Sequence, residues 1–219
     1  MMKSIGLGLA ATLLFCGPVW GQASETEPAT APQKEDSPMQ TLFGGSDVAH
    51  GGYGALHFGG TRANGESVGL AGGRGGWLIN HTLLLGLAGH STTTTFKGDP
   101  DAQGNREDLN FSYGGFLMEW IPGWERAWHS AFGLLLGEGS VSTYTPEHCM
   151  GNTCTYTLPE TDQMGVVELS ARLEANLFRY MRAGLGVGYH WVRGMDFPYL
   201  KSDSLTGGQM EIFLIFGKF

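Results

Sequence analysis

The sequence predicts an all-β protein, an eight-stranded antiparallel up-and-down barrel that crosses a membrane with its strands. Eight runs of strand length follow one another after residue 50, the connections between them alternate in length, and apolar and polar residues alternate within the clearest runs. Alternation with a period of two is the pattern of a strand whose two faces meet different environments. The runs cover residues 51–62, 67–79, 83–96, 107–120, 127–143, 165–178, 181–193 and 206–219.

Composition narrows the range of partners. The 219 residues include 13 Lys and Arg against 21 Asp and Glu, a formal net charge of -8. An acidic chain is a poor match for nucleic acid, whose phosphates need a basic surface. Gly accounts for 36 of the 219 residues, roughly one in six, whereas its usual share is about 7%. Because these glycines fall inside strand-like runs, they indicate close backbone packing or tight curvature.

Three segments differ in character along the chain. Residues 1–22 are expected to be a signal peptide, because Lys3 precedes an apolar stretch over residues 5–15 and small residues follow it. Residues 23–48 hold three prolines and few large apolar side chains, which predicts a disordered periplasmic linker. Residues 49–219 are expected to form the barrel.

The clearest strand lies between residues 167 and 177, where every odd position is apolar and every even position is polar. A helix is the competing interpretation, because Leu169, Leu173 and Leu177 would share one stripe, but strict alternation favours a strand. The next run ends its apolar face with Tyr189 and Trp191. An aromatic pair in that position is typical of a membrane interface.

Polar residues on the opposite faces are expected to point into the barrel. An eight-stranded barrel is only wide enough inside for side chains, so a wide pore is not expected. Charges in such a space must pair, which predicts an internal network of ion pairs. One of these charges, Arg74, is surrounded by Gly72, Gly73, Gly75 and Gly76. This run of glycines predicts a β-bulge and a change of phase at Arg74. The predicted interior residues are Glu168, Arg172, Glu174, His190 and Arg74.

The lengths of the connections indicate a barrel with two different ends. Short turns on the periplasmic side and long loops outside are the rule for outer-membrane barrels, and an even number of strands places both termini in the periplasm. After residue 22 no apolar run reaches 18 residues, which excludes a spanning helix. Short connections cover residues 80–81, 121–126 and 179–180, and longer ones cover 97–106, 144–164 and 194–205, whereas the first, near 63–66, is a short exception.

The chain ends inside an amphipathic run that closes on Phe219. This ending resembles the assembly signal of outer-membrane proteins, and the barrel region resembles the small eight-stranded outer-membrane barrels of Gram-negative bacteria. The resemblance is one of pattern, without a diagnostic motif. It implies an outer-membrane location, contact with membrane lipids and recognition by the barrel assembly machinery. Glu211 and Gly217 share the parity of Phe219, where that family has apolar residues, so the phase of this strand stays open.

The longest loop holds Cys149 and Cys154, and an even pair in an exported chain predicts a disulfide. A zinc site would add His148, but further ligands are not evident. No metal site and no cofactor are therefore predicted. The following long loop carries Phe197-Pro198-Tyr199. We expect this aromatic cluster to stiffen the loop or pack onto the barrel rim, and the alternative is an exposed anchor for a partner.

No catalytic residue is predicted. The adjacent pairs His90-Ser91 and His129-Ser130 lie in strands, where neighbours point to opposite faces and do not form a dyad by themselves. A Ser/His pairing between different strands stays open. The expected function is that of a non-enzymatic outer-membrane barrel, serving envelope structure or loop-mediated binding at the cell surface. A lipid-modifying outer-membrane enzyme and a secreted, soluble, lipocalin-like barrel that binds an apolar ligand are the alternatives.

Overall fold

A computed structural model describes residues 48–219 except 101, 103, 144–147, 151–152, 156–159 and 199. The predicted signal peptide (1–22) and all of the predicted linker (23–48) except Val48 lie outside the described residues. In the described part of the chain, no helix has both the length and the apolar character needed to cross a bilayer.

Eight long antiparallel strands close into a barrel, which confirms the predicted fold class. Each long strand pairs with the next one along the chain, and the first pairs with the last. The short strands β4, β7 and β8 and the helix α1 lie in the connections. In chain order the elements are β1 (His50–Ala63), β2 (Glu66–Ile79), β3 (Leu83–Thr92), β4 (Phe96–Lys97), β5 (Asp108–Trp120), β6 (Trp128–Thr143), β7 (His148–Met150), β8 (Thr153–Thr155), β9 (Thr161–Phe178), β10 (Met181–Arg193), α1 (Ser202–Leu205) and β11 (Gly207–Lys218).

The predicted bulge beside Arg74 is wrong. β2 pairs with β1 and with β3 in continuous register through Gly72, Arg74 and Gly76, and Arg74 is buried with Leu70 and Leu78 on the inner face. Glycine has no side chain to mark a face, so the regular alternation of β2 is hidden in its sequence. A register shift occurs instead between Met181 and Arg182, beside the turn that joins β9 to β10.

The phase of the last strand is also resolved. Its residues alternate strictly, and Glu211 points inward. Phe219 continues this inner parity, with its ring centroid 3.6 Å from the Arg182 guanidinium and 6.0 Å from the Tyr53 ring. Its role as an assembly signal stays a prediction. Gln209, Glu211, Phe213 and Ile215 are buried, whereas Met210, Ile212, Leu214 and Phe216 are exposed.

The two ends of the barrel differ in their connections. Two tight turns have positive φ at both central residues, 48° and 79° at Asn64 and Gly65, and 50° and 56° at Asn80 and His81. This is the backbone of a type I′ turn, which matches the twist of the strands it joins. The Asn80 turn lies at the end with short connections, and the Asn64 turn lies among the long ones, as the sequence indicates.

The outer wall is apolar, with several exposed aromatic side chains at the short-turn end and an aromatic pair at the long-loop end. Leu185 and Leu87 are 65% and 68% exposed, as large aliphatic side chains are on a wall that no protein layer covers. Tyr189 and Trp191 lie at the long-loop end, with ring centroids 4.7 Å apart. The eleven residues from Met181 to Trp191 span roughly 25 Å across a tilted barrel, the height of the apolar band in such proteins. Aromatic residues exposed at the short-turn end are Trp77, Trp120, Trp128, Phe178 and Tyr180.

Glycines on β10 make room for the long polar side chains of β9. Gly184 pairs with Glu174, and Gly186 pairs with Arg172. A Cβ atom on Gly186 would lie 2.7 Å from Cε2 of Phe213 and 2.9 Å from Cγ of Arg172. Such alternation of large and small residues is how a small barrel fills its interior.

We therefore expect Gly186→Ala to destabilise the barrel by about 1–3 kcal/mol, the usual cost of overpacking. Gly54→Ala is the matched control, because its Cβ would meet nothing within 4 Å. Unfolding in detergent by heat or urea, followed by gel mobility, gives both values. Equal stability of the two variants would contradict the packing role of Gly186.

Candidate functional site

The interior of the barrel holds a dense group of ionisable side chains, each at most 5% exposed. We call these residues the interior cluster. The five interior residues named from the sequence all belong to it. The other six were not predicted as interior residues. Its members are Arg74, Arg172, Arg182, Glu119, Glu168, Glu174, Glu211, His57, His90, His129 and His190.

Arg172 on β9 lies at the centre of the cluster. Its Nη1 atom donates to Oε1 of Glu119, and its Nε atom donates to Oε1 of Glu174 at 3.0 Å. Its Nη2 atom lies 3.3 Å from the Tyr53 hydroxyl, which in turn donates to Oε2 of Glu119. Arg172 thus joins β9 to β5 and β1 across the barrel. The fixed fork of a guanidinium suits it to this multiple pairing.

Arg74 on β2 forms a second centre that shares a carboxylate with the first. Its Nη1 atom donates to Oε1 of Glu119 at 3.1 Å, and its Nη2 atom lies 3.5 Å from Oε2 of Glu211 and 3.9 Å from Oε1 of Glu168. The Phe213 ring packs against both arginines, with its centroid 4.8 Å from Cζ of Arg74 and 5.0 Å from Cζ of Arg172. A ring face is a favourable neighbour for a desolvated guanidinium.

Glu174 organises the short-turn end of the cluster. Its Oε2 atom lies 3.2 Å from Nε2 of His129 and 3.6 Å from Nη1 of Arg182. The Arg182 guanidinium also covers the ring of Phe219. The last residue of the chain therefore helps to close the short-turn end over the buried charges.

Tyr113 and His190 continue the network toward the long loops. The Tyr113 hydroxyl lies 2.8 Å from both Oε2 of Glu168 and Oε1 of Gln209. The Nδ1 atom of His190 lies 3.1 Å from the same Gln209 oxygen, and its Nε2 atom lies 2.7 Å from the carbonyl oxygen of Leu205. Because Leu205 ends α1 and is fully buried, the cluster is bonded directly to a loop element.

His57, His90 and Glu211 form a compact group at one side of the cluster. Each offers one ligand atom, and these atoms all lie within 4.8 Å of one another. The two imidazole centroids are 4.4 Å apart, and the His90 ring stacks on Tyr113 with centroids 4.5 Å apart. Two imidazoles and a carboxylate are a donor set that can hold a metal ion.

The alternation of inward and outward positions in the sequence identifies more members of the interior cluster than the five that were predicted. The alternation that points His190 inward does the same for Arg182, and the parity of Phe219 gives the inward face of Glu211. His57 shares a face with Tyr53 and Ala55, and Glu119 shares one with Tyr113 and Leu117. Tyrosine, alanine and leucine occur both in a protein core and on a wall that faces lipid. The sequence around His57 and Glu119 therefore does not show which face points inward.

The adjacent His/Ser pairs divide between the two sides of the wall. His90 and His129 are buried in the interior, whereas Ser91 is exposed and Ser130 is half-buried on the outer side. Neither histidine lies on the lipid-facing wall. The pairs therefore offer no dyad to a lipid substrate on that wall.

At Phe197 the structure decides between the two interpretations of the second long loop. Phe197 is buried rather than exposed, and it packs into the core with Leu200, while Tyr199 lies outside the described residues. In the other long loop, β7 and β8 form a small antiparallel ribbon with Cys149 directly opposite Cys154. Their side chains are not described, so the disulfide stays a prediction.

Known proteins resemble this chain in fold and not in sequence. No family model matches the sequence, and the search of curated proteins finds no similar one. Neisserial surface protein A has the same fold, with a TM-score of 0.53 and 10% identity over 78% of this chain and 99% of its own. Ail, the attachment invasion locus protein of Yersinia pestis, aligns with a TM-score of 0.47 and 11% identity over 77% of this chain and 98% of its own. The chain thus has the fold of the small eight-stranded outer-membrane barrels.

Removing the central guanidinium should leave Glu119 and Glu174 as buried charges with fewer partners. We expect Arg172→Met to lower the free energy of unfolding by about 3–5 kcal/mol, as when one member of a buried ion pair is lost. Arg193→Met, at an exposed arginine of the next strand, is the control and should change little. Heat-dependent gel mobility of the detergent-folded chain measures both, and full heat resistance of Arg172→Met would refute the central role of Arg172.

Proposed function

We propose that the protein is an outer-membrane barrel that is closed to solutes and presents a pre-organised loop surface outside the cell. The apolar outer wall carries this proposal. Large aliphatic and aromatic side chains cover the outside of the barrel, while the charges lie inside. This is the reverse of a water-soluble barrel and is the arrangement that lipid requires. Membrane lipids and the barrel assembly machinery are accordingly the partners that we propose.

The filled interior argues for a closed barrel. Arg74 and Arg172 meet through Glu119 at its centre, and Phe213 packs against both. An ion entering this space would have to displace side chains that pair with one another in a medium of low polarity. The interior therefore supports a structural role for the cluster rather than conduction.

The loop surface is held together by contacts between different connections. The Asn64 side chain donates to the carbonyl oxygen of Lys97 at 2.9 Å, and its backbone N–H donates to the carbonyl oxygen of Ser204 at 2.8 Å. The backbone N–H of Asp196 donates to Oδ2 of Asp162 at 2.6 Å. A surface ordered in advance loses less entropy on meeting a partner. These contacts favour loop-mediated binding over a purely structural role in the envelope.

The two alternatives fit the geometry less well. A lipocalin-like barrel needs an apolar cavity, whereas this interior holds buried charges. A lipid-modifying enzyme needs a nucleophile and a base on the lipid-facing wall, and both His90 and His129 face inward. We therefore propose a binding protein without enzymatic activity.

Lipid contact can be tested with a charge in the middle of the outer wall. Leu185→Arg should destabilise the membrane-inserted barrel by about 2–4 kcal/mol, the cost of an arginine near the bilayer midplane. Thr95→Arg, in an exposed loop, is the control and should be neutral. The measurements are recovery in the outer-membrane fraction and urea unfolding in lipid vesicles. If Leu185→Arg stays fully stable and the chain fractionates as a soluble protein, the proposal fails.

The loop surface can be tested by two deletions of different expected effect. Removing residues 147–156 should leave barrel stability unchanged, because β7 and β8 pair with each other and not with a barrel strand. Removing 202–205 should lower it, because Leu205 is buried and its carbonyl oxygen bonds His190. Heat-dependent gel mobility compares the two. Failure of the first deletion to fold would make that loop structural rather than a binding element.

A further inference from the structure

We propose that His57, His90 and Glu211 bind one divalent transition-metal ion inside the barrel, and that zinc fits the site best. The sequence alone predicts no metal site, because the three ligands come from three separate strands and share no motif. The proposal does not depend on the loop surface or on its partner.

The strand register brings the two histidines together. His57 on β1 pairs with Gly72 on β2, and Gly72 pairs with His90 on β3. Glycine thus separates the two imidazoles in one continuous row across three strands. A Cβ atom on Gly72 would contact Nε2 of His57 and lie 2.9 Å from its Cε1 atom. The His57 ring therefore leans over Gly72 toward His90, in space that any larger residue would fill.

Glu211 reaches the same place from β11. It pairs with Gly59, where a Cβ atom would lie 2.9 Å from Cγ of Glu211. Its Oε1 atom lies 3.2 Å from Nδ1 of His90 and 3.7 Å from Nε2 of His57. Ligands about 2 Å from a tetrahedral ion are separated by roughly 3.3 Å. The two separations from Glu211 bracket that value, while the set of three ligand atoms spans up to 4.8 Å, so the two imidazoles would have to draw together around the ion.

The atoms that converge here have no hydrogen bond within the described part of the chain. Nε2 of His57, Nδ1 of His90 and Oε1 of Glu211 are all buried and all unpaired in this sense. Buried polar atoms are normally hydrogen-bonded, and each exception calls for an explanation. Nδ1 of His57, Nε2 of His90 and Nη2 of Arg74 are unpaired in the same sense. One cation shared by the three ligand residues, whose ligand atoms lie within 4.8 Å of one another, would give a partner to one atom of each.

Two charged side chains lie where metal ligands usually have outer contacts, although neither contact has hydrogen-bond geometry in this structure. Nε2 of His90, on the far side of the ring from Glu211, lies 3.4 Å from Oε2 of Glu168. A ligating histidine commonly donates its second N–H to a carboxylate in that position. The second oxygen of Glu211 lies 3.5 Å from Nη2 of Arg74. Each of these partners would hold a ligand with its free lone pair toward the ion.

The charge of the interior cluster also favours a cation. Its four glutamates exceed its three arginines by one negative charge when the histidines are neutral, so one proton would cancel this excess and a divalent ion would reverse its sign. An uncompensated charge is costly in such a buried place. Two nitrogen donors and one oxygen donor select zinc or another borderline divalent ion over calcium or magnesium, which prefer oxygen.

The ion would act as a clip rather than as a reactive centre. Its ligands are buried, and they join β1, β3 and β11, of which β3 is separated from β1 by β2. A metal site of this kind forms together with the folded state and stabilises it. Loading is therefore expected during folding, and slow exchange is expected afterwards.

A proton is the competing cation, since a charged imidazole would also balance Glu211. The two possibilities differ in stoichiometry and in sensitivity to chelators. We would fold the full chain in detergent with zinc or with EDTA, remove free metal by gel filtration, and measure bound zinc by mass spectrometry. The metal proposal expects one zinc per chain and a higher unfolding temperature in the zinc-loaded sample. No bound zinc, with identical stability in EDTA, would overturn it in favour of the proton.

Variants would then locate the ion. His90→Asn and Glu211→Gln should each lower zinc affinity at least tenfold, whereas His129→Asn, at a buried histidine outside the group, should retain one zinc per chain. Retention of zinc by both ligand variants would overturn the assignment.

A measurement on the unaltered chain covers the case in which the ligand variants do not fold. X-ray absorption of the cobalt- or zinc-loaded protein should show nitrogen and oxygen ligands near 2 Å with the scattering of two imidazoles. A spectrum without imidazole, or one with sulfur ligands, would place the metal elsewhere and refute the site.

Discussion

The interior of the barrel has room only for side chains, and many of the side chains that fill it are charged. The structure depends on these charges neutralising one another. Arg172 and Arg74 share Glu119, and Phe213 lies against both guanidinium groups. The two arginines and Glu119 come from three strands on different sides of the barrel. Contacts across the centre therefore hold the wall together, in addition to the hydrogen bonds between neighbouring strands. Buried ion pairs rarely add much stability over apolar packing, but losing one partner is costly. The network therefore makes this arrangement of strands hard to replace with another.

Glycine is the necessary counterpart of these charges. Gly184 and Gly186 face Glu174 and Arg172, and Gly72 leaves the space that the His57 ring occupies. A barrel of eight strands has no reserve of volume inside, so each long side chain requires a small one beside it. Many glycines in the sequence thus mark positions where the interior is crowded, more than positions where the chain bends.

The fold could be predicted largely from the sequence, because alternation in β9 and β10 and the lengths of the turns report the environment of each face directly. The same signal failed in β2, where glycines around Arg74 carry no polarity, and a bulge was inferred that does not exist. The interior cluster was only half predicted. Side chains such as His57 and Glu119 meet their partners through closure of the barrel, and a pairing between distant strands leaves no trace in local spacing. The sequence left two interpretations of Phe197 for a related reason, since an aromatic residue in a loop looks the same whether it faces solvent or covers the barrel mouth.

Closure of the barrel has a consequence for how the chain folds. The partners of Arg74 lie on β5, β9 and β11, and β11 also supplies the strand that seals the wall against β1. Because β11 joins β2 through β1, the contact between Arg74 and Glu211 requires that the first and last strands have met. Dehydration of the interior and sealing of the seam must then occur as one late, cooperative event, and contacts so distant along the chain make that event slow.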